Sequence, residues 1–246
     1  MYPALVDSSF SGCLEDQLGF RQTGSCEAAI IVLMDTVTSM LCKEDYVTAM
    51  FVDMSKAFDM VSHSRILGKL ANMNLCDEVF NWIYDFISDK QHYTYYNGQL
   101  SGTRGINCGV IQGSVIGPTL FVVAISDLKP IGNNNHYIKY ADDTVVIVPG
   151  LVDDTLESEM CNVEKWASDH NLVINSSKTK AIWLTCHRQV IKHMKNMPNV
   201  VTLPMLGDLH YSSCINYLGV KIQSKLLFQD HVNNIVDQCN KTFYLM

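Results

Sequence analysis

Basic residues are in short supply. Across 246 residues, 18 Lys and Arg stand against 25 Asp and Glu, a net charge of −7. That balance argues against a generic nucleic-acid-binding surface, for which a basic excess is expected. A carboxylate-lined, metal-dependent site tolerates that balance, as does a fragment whose basic parts lie outside this sequence. Long hydrophobic runs are also absent: residues 28–34 and 120–125 are among the longest, far too short to span a bilayer. No basic head precedes an apolar run at the N-terminus, so neither a signal peptide nor membrane insertion is expected. The nine cysteines (Cys13, Cys26, Cys42, Cys76, Cys108, Cys161, Cys186, Cys214 and Cys239) contain no Cys-x-x-Cys pair. Their odd count suits neither a disulfide framework nor a zinc module. Reduced thiols are expected, and with them an intracellular setting, nuclear or cytoplasmic. Cys186, His187 and His193 lack the second cysteine and the regular spacing of a ligand set. Gly-Lys-Ser/Thr is missing, which excludes a phosphate loop, and there is no repeat or low-complexity linker.

What remains is a folded chain, 48% hydrophobic and 17% charged, long enough to bury a core. Its central stretch is residues 136–148, where two apolar or β-branched runs flank Tyr140, Ala141, Asp142 and Asp143. The pattern predicts two strands joined by a tight hairpin. Adjacent carboxylates at such a tip repel: like charges about 4 Å apart cost roughly 4 kcal/mol at an effective dielectric near 20. A divalent cation turns that penalty into binding energy, so the hairpin is half of a candidate metal site. Asp153 and Asp154 form the control pair. They open a predicted helix, where acids favour the positive end of the macrodipole, and are read as structural.

Taken in order, residues 1–24 are irregular and end on Gly19, Phe20 and Arg21. A helix follows from a Ser25 cap to about Leu41, with Ala29, Leu33, Val37 and Met40 near one face. Residues 46–53 form a strand apolar on both faces, terminated by Asp53, where a carboxylate leaves the core. Helices are expected near 62–72, capped by Ser62, and over 77–87, with a hairpin over 91–107 turning at Asn97 and Gly98. Between 109 and 118, glycines at 109, 113 and 117 would let backbone approach a flat ligand, with Gln112 placed against it. Ser114 is read as the cap of a helix running to about Leu128. A helix over 153–169 buries Leu156, Met160, Val163 and Trp166, and a strand over 181–185 follows Lys178 and Lys180. Residues 187–213 carry little signal, 217–222 read as a strand, and a last helix starts near Phe228. That helical pattern is still running at Met246, so truncation is expected.

Three motifs now stand in order: Phe51-Val-Asp-Met-Ser-Lys-Ala-Phe-Asp59, Gly109-Val-Ile-Gln-Gly-Ser-Val-Ile-Gly-Pro-Thr-Leu-Phe121 and Tyr140-Ala-Asp-Asp143. Together they resemble the reverse transcriptases of non-LTR (LINE-like) retrotransposons, relatives of group II intron maturases. Gly19-Phe20-Arg21, residues 172–178 and Tyr217-Leu218-Gly219 are similar to that family's finger, post-hairpin and primer-grip motifs. The resemblance implies an α+β fold, a right-hand polymerase palm of antiparallel sheet backed by helices. Residues 1–44 would be partial fingers, 45–222 the palm with a fingers insertion, and 223–246 the start of a truncated thumb. Asp53, Asp142 and Asp143 would hold two Mg²⁺ ions, with Mn²⁺ as a substitute, roughly 3.5–4 Å apart.

By the same resemblance, Phe58 would exclude a 2′-hydroxyl, Gln112 would touch the nucleotide, Arg21 would bind its phosphates and Lys178 would protonate pyrophosphate. The implied partners are template RNA, a DNA primer and dNTP, with an endonuclease domain expected in the parent protein. Two departures are visible: Ile111 stands where the family has Pro, and Gln-Thr-Gly-Ser-Cys follows Arg21 in place of Gly-Arg-Ser-Thr. They leave open a second reading, a relic or domesticated palm that binds RNA or protein without chemistry. A third, an RNA-dependent RNA polymerase, would have Gly before the paired acids and a small residue at position 58. Ala141 and Phe58 argue against it.

Overall fold

The computed structural model describes residues 14–150, 153–186, 200–203 and 206–244. The first half runs α1 (Cys26–Leu41), β1 (Val47–Val52), β2 (Met54–Ser55), α2 (Ala57–Met60), α3 (His63–Ala71) and α4 (Asp77–Ile87). An exposed double hairpin follows, made of β3 (Lys90–His92), β4 (Tyr95–Tyr96), β5 (Gln99–Leu100) and β6 (Arg104–Ile106). Next come α5 (Gly117–Ala124), β7 (His136–Tyr140), β8 (Asp143–Pro149), α6 (Asp153–Asp169), β9 (Val173–Ile174) and β10 (Lys180–Leu184). The chain closes with β11 (Val200–Leu203), β12 (Gly207–His210), β13 (Cys214–Tyr217), β14 (Val220–Gln223) and α7 (Gln229–Tyr244).

Four strands in the order β10–β1–β8–β7, all antiparallel, form the central sheet. Every residue of β1 is buried, because its two faces meet two different cores. Met50 and Val52, with Val146 and Val148 of β8, pack under the helices α3 to α6. Val47, Ala49 and Phe51, with Val145 and Ile147, pack against Leu33, Val37 and Leu41 of α1 and against Ile215 and Tyr217 of β13. Alternation with a period of two sends neighbours to opposite faces. Each large side chain so enclosed contributes roughly 1.5–3 kcal/mol. Helix α1 starts where the hydroxyl of Ser25 accepts from the Ala28 N–H at 3.0 Å, as a cap should. In α6 all four residues expected inside, Leu156, Met160, Val163 and Trp166, are buried. From the same helix, the buried Glu159 carboxylate accepts from the Ile131 and Gly132 N–H groups, Asn135 and the Tyr137 hydroxyl. That fixes the entry to β7.

Several boundaries differ from expectation. Ser62 stands at the start of α3, but its hydroxyl meets that of Ser64 at 2.8 Å and caps no N–H. Ser114 is not the residue before a helix. Its hydroxyl donates to the Ile111 carbonyl and accepts from the Gly117 N–H, holding a turn that delays α5 to Gly117, and α5 ends at Ala124, not Leu128. The stretch 217–222 is no single strand: Leu218 and Gly219 have φ of +46° and +84°, and the chain folds back as a β13–β14 hairpin. Residues 200–210, silent in the sequence, hold the short β11–β12 pair. His187 and His193 lie outside the described residues, and the eight described cysteines are free thiols. Among the described residues no helix is long and apolar enough to cross a membrane.

Candidate active site

Register brings the carboxylates together. Val52 of β1 faces Thr144 of β8, so the next residues outward, Asp53 and Asp143, stand across from each other where both strands leave the core. The β7–β8 turn closes with Tyr140 opposite Asp143, leaving Ala141 and Asp142 at the tip. Ala141 takes φ +56°, a left-handed conformation uncommon outside glycine. Asp53 and Asp143 line a cleft of about 380 Å³ together with Phe51, Thr144, Lys178 and Tyr217.

Burial, then the charge of Asp142, then that of Asp53, pushes the Asp143 carboxyl up to about 6. Asp142 is also raised, first by burial and further by Asp53, while its own backbone hydrogen bond and Lys178 pull the other way. Among the described residues, no three His, Cys, Asp or Glu side chains close into a cation cage. The charge of Asp53 acts on both Asp142 and Asp143, that of Asp142 acts on Asp143, and repulsion between like charges keeps such side chains apart. Lys178 gives partial relief: its ammonium lies 3.8 Å from Asp53, but it is 68% exposed and so well screened. The donor set is all carboxylate oxygen, partly desolvated and net anionic, which fits a hard divalent cation. Two buried hydroxyls beside it, on Thr144 and Tyr217, have no hydrogen-bond partner among the described residues, and burial together with the Asp143 charge raises the Tyr217 phenol.

The other expected residues fall into two groups. Lys178, Tyr217 and Leu218 line the same cleft as Asp53 and Asp143, with Gly219 at the adjoining hairpin turn. Lys180 lines it too, but Lys178 is the lysine paired to Asp53. Phe58 lies stacked on Phe121 at 4.1 Å, with Phe20 edge-on at 5.9 Å, so its ring is held from two sides. Gln112 donates to Asp59 at 2.7 Å, and the Val110 N–H bonds the Phe58 carbonyl at 2.8 Å, which joins the glycine-rich loop to the turn carrying Phe58. Arg21 does not line the cleft. Its Nη1 donates to the Leu14 and Gln17 carbonyls at 2.5 and 3.2 Å. The three glycines do not act alike either. A Cβ on Gly109 would strike the Asp59 carbonyl and one on Gly117 the Ile111 carbonyl, whereas Gly113 faces open space. Two of the three therefore serve packing within the chain, not approach to a ligand.

Sequence reasoning missed Gln17, which is buried against the Ala141 turn. A glutamine two residues before a glycine carries no periodic signal. It also missed the turn at Leu218 and Gly219, and with it Cys214, Ile215 and Asn216 of β13 as part of the cleft wall.

Comparison with known proteins agrees with this geometry. Residues 5–222 match the family model described as reverse transcriptase (RNA-dependent DNA polymerase). The RNA-directed DNA polymerase from mobile element jockey of Drosophila melanogaster is 28% identical over 231 residues, covering 89% of this chain and 24% of that protein. The probable RNA-directed DNA polymerase from transposon BS of the same species is 26% identical, covering 92% of this chain and 25% of its own length. This chain thus spans about a quarter of the length of the curated relatives it matches. Apo telomerase from Candida tropicalis superimposes with a TM-score of 0.64 at 12% identity, covering 93% of this chain and 39% of that one. At that identity the likeness carries the fold alone, an α+β polymerase palm.

The raised Asp143 carboxyl has a measurable consequence. Its folded pKa of about 6 lies above the ordinary unfolded value near 3.9, so the folded chain favours the protonated form. Asp143 therefore contributes stability to the metal-free protein that is fully present below about pH 4 and is lost as pH climbs through about 6. Urea denaturation at stepped pH should show wild type losing stability relative to Asp143→Asn between about pH 4 and 6; a difference between the two that does not change with pH would contradict the assignment.

Proposed function

The chain belongs to the reverse transcriptase (RNA-dependent DNA polymerase) family, and from that premise we propose that its carboxylate cleft transfers a nucleotide from dNTP to a DNA primer 3′-hydroxyl on an RNA template. The observation that carries the reading is the β1–β8 register, which sets Asp53 against Asp143 beside the Asp142 turn. Asp53 and Asp142 hold the cations, with Asp143 beside them. Two Mg²⁺ ions, or Mn²⁺ in their place, supply Lewis acidity when bound, lowering the pKa of the attacking hydroxyl and stabilising the leaving pyrophosphate. The new bond joins the 3′-oxygen to the α-phosphorus, and the bond from that phosphorus to the bridging oxygen breaks. Lys178, ionic partner of Asp53, stands at the cleft to give a proton to pyrophosphate.

Tyr217, Leu218 and Gly219 form the primer-side wall, a rigid hairpin tip against which the primer end rests. Phe58, braced by Phe121 and Phe20, presents an edge that a deoxyribose clears and a 2′-hydroxyl does not. Gln112 abuts the nucleotide while tied to Asp59, whereas Arg21, anchored on the Leu14 and Gln17 carbonyls away from the cleft, gains no support for its expected phosphate contact. A non-catalytic palm that only binds RNA or protein finds less support, since the three acids are intact and the carboxyls of Asp142 and Asp143 are raised by burial and by neighbouring acids.

Primer extension on an RNA template with Mg²⁺ and dNTP tests the reading. Losing one cation ligand removes several kcal/mol of transition-state stabilisation, so Asp142→Asn should slow extension by about a hundredfold or more. Equal rates in wild type and variant would sink the assignment. Replacing Phe58 with Val should raise incorporation of ribonucleotides relative to deoxyribonucleotides. If both proteins discriminate alike, Phe58 does not select the sugar.

A further inference from the structure

The N-terminal segment runs beside the outer edge of the sheet. The Leu18 N–H bonds the Lys139 carbonyl and the Lys139 N–H bonds the Asp16 carbonyl, both at 2.7 Å, so Gln17 pairs with Lys139 in a parallel bridge. The Lys139 side chain is fully buried and anchors the segment further, reaching the Leu128 carbonyl at 2.8 Å and Asp16 at 3.0 Å. Gln17 itself is 1% exposed. Its Oε1 accepts from the Gly19 N–H at 2.8 Å and from the Ala141 N–H at 2.9 Å, while its Nε2 donates to the Ala141 carbonyl at 3.3 Å. Two N–H groups facing one amide oxygen fix which way the carboxamide points. A Cβ on Gly19 would lie 2.3 Å from the Ala141 nitrogen, so only glycine lets the segment come this close.

Ala141 is the left-handed residue of the β7–β8 turn, and the next residue is Asp142. A two-residue tip with an alanine in that region has alternatives open to it unless something outside the hairpin holds it. We propose that Gln17 is the positioning residue for Asp142: its carboxamide grips both the N–H and the C=O of Ala141 and so fixes where the Asp142 carboxylate stands relative to the cleft lined by Asp53 and Asp143. The role rests on the reading of that cleft as a divalent-cation site. It places a determinant of cation affinity on a segment outside the sheet, on a residue that touches no substrate.

The test uses the whole chain, with Mn²⁺ alone as probe. Gln17→Met keeps length and removes all three hydrogen bonds; Gln17→Glu keeps an acceptor for both N–H groups; Leu156→Ala, a core change in α6, is the control for general loss of stability. Amide hydrogen exchange is followed at Ala141 and at Val146, and Mn²⁺ affinity is measured by titration. In Gln17→Met, exchange at Ala141 should quicken by about tenfold, as for loss of one buried hydrogen bond, with Val146 unchanged, and Mn²⁺ should bind several-fold more weakly. In Gln17→Glu, protection at Ala141 should return. Leu156→Ala should leave both readouts at wild-type values once matched for stability. Unchanged exchange at Ala141 in Gln17→Met overturns the proposal, and so does quickened exchange with wild-type Mn²⁺ affinity. If wild type takes up no Mn²⁺, the cation-site reading fails and the positioning role falls with it, an outcome distinct from either of the other two.

Discussion

A cluster of carboxylates in which Asp53 opposes the ionisation of both Asp142 and Asp143 is the constraint on which this molecule turns. Asp143 is pushed up to about 6 and Asp142 is raised as well, with Asp53 contributing to both. Lys178 relieves that repulsion only in part. The arrangement survives because the β1–β8 pairing, buried on both faces, is stable enough to carry it. On the proposed reading, a site costly without cations and favourable with them suits phosphoryl chemistry, where metal ions do most of the stabilising.

The fold supplies that stability from two sides. Helices α3 to α6 close one face of the sheet, and α1 with the β13–β14 hairpin closes the other. The cleft opens between them, at the end where β1 exits and β7 turns. Its walls come from distant parts of the chain: Lys178 precedes β10, Tyr217 ends β13 and Thr144 belongs to β8. Phe58 and Gln112 are coupled through the loop that bonds the Phe58 carbonyl and the Asp59 carboxylate. A change in the glycine-rich loop would therefore move two proposed nucleotide contacts at once.

Much of this was legible in the residues alone. The Tyr140 to Asp143 turn lies between two short runs of β-formers, and the strand before Asp53 is apolar throughout, so hairpin and strand end both follow from local pattern. The apolar spacing of Leu156, Met160, Val163 and Trp166 set the buried face of α6. Illegible were features decided by tertiary contact. Ser114 looks like a helix cap, yet its hydroxyl is used on the Ile111 carbonyl. Leu218 takes a left-handed conformation that leucine seldom adopts, so the β13–β14 turn left only Gly219 as its mark. Gln17 and Lys139 are polar residues buried by their partners, which hydrophobic patterning assigns to the surface.

The central claim is that the fold confines these acids at a cost that a divalent cation relieves. Thermal melting of wild type and Asp53→Asn, each with and without Mn²⁺, tests it most directly. The account predicts that the metal-free variant melts above metal-free wild type, because one of the opposing charges is gone, and that Mn²⁺ raises the melting temperature of wild type alone. A variant that melts lower without metal, yet gains as much from Mn²⁺ as wild type does, would contradict it.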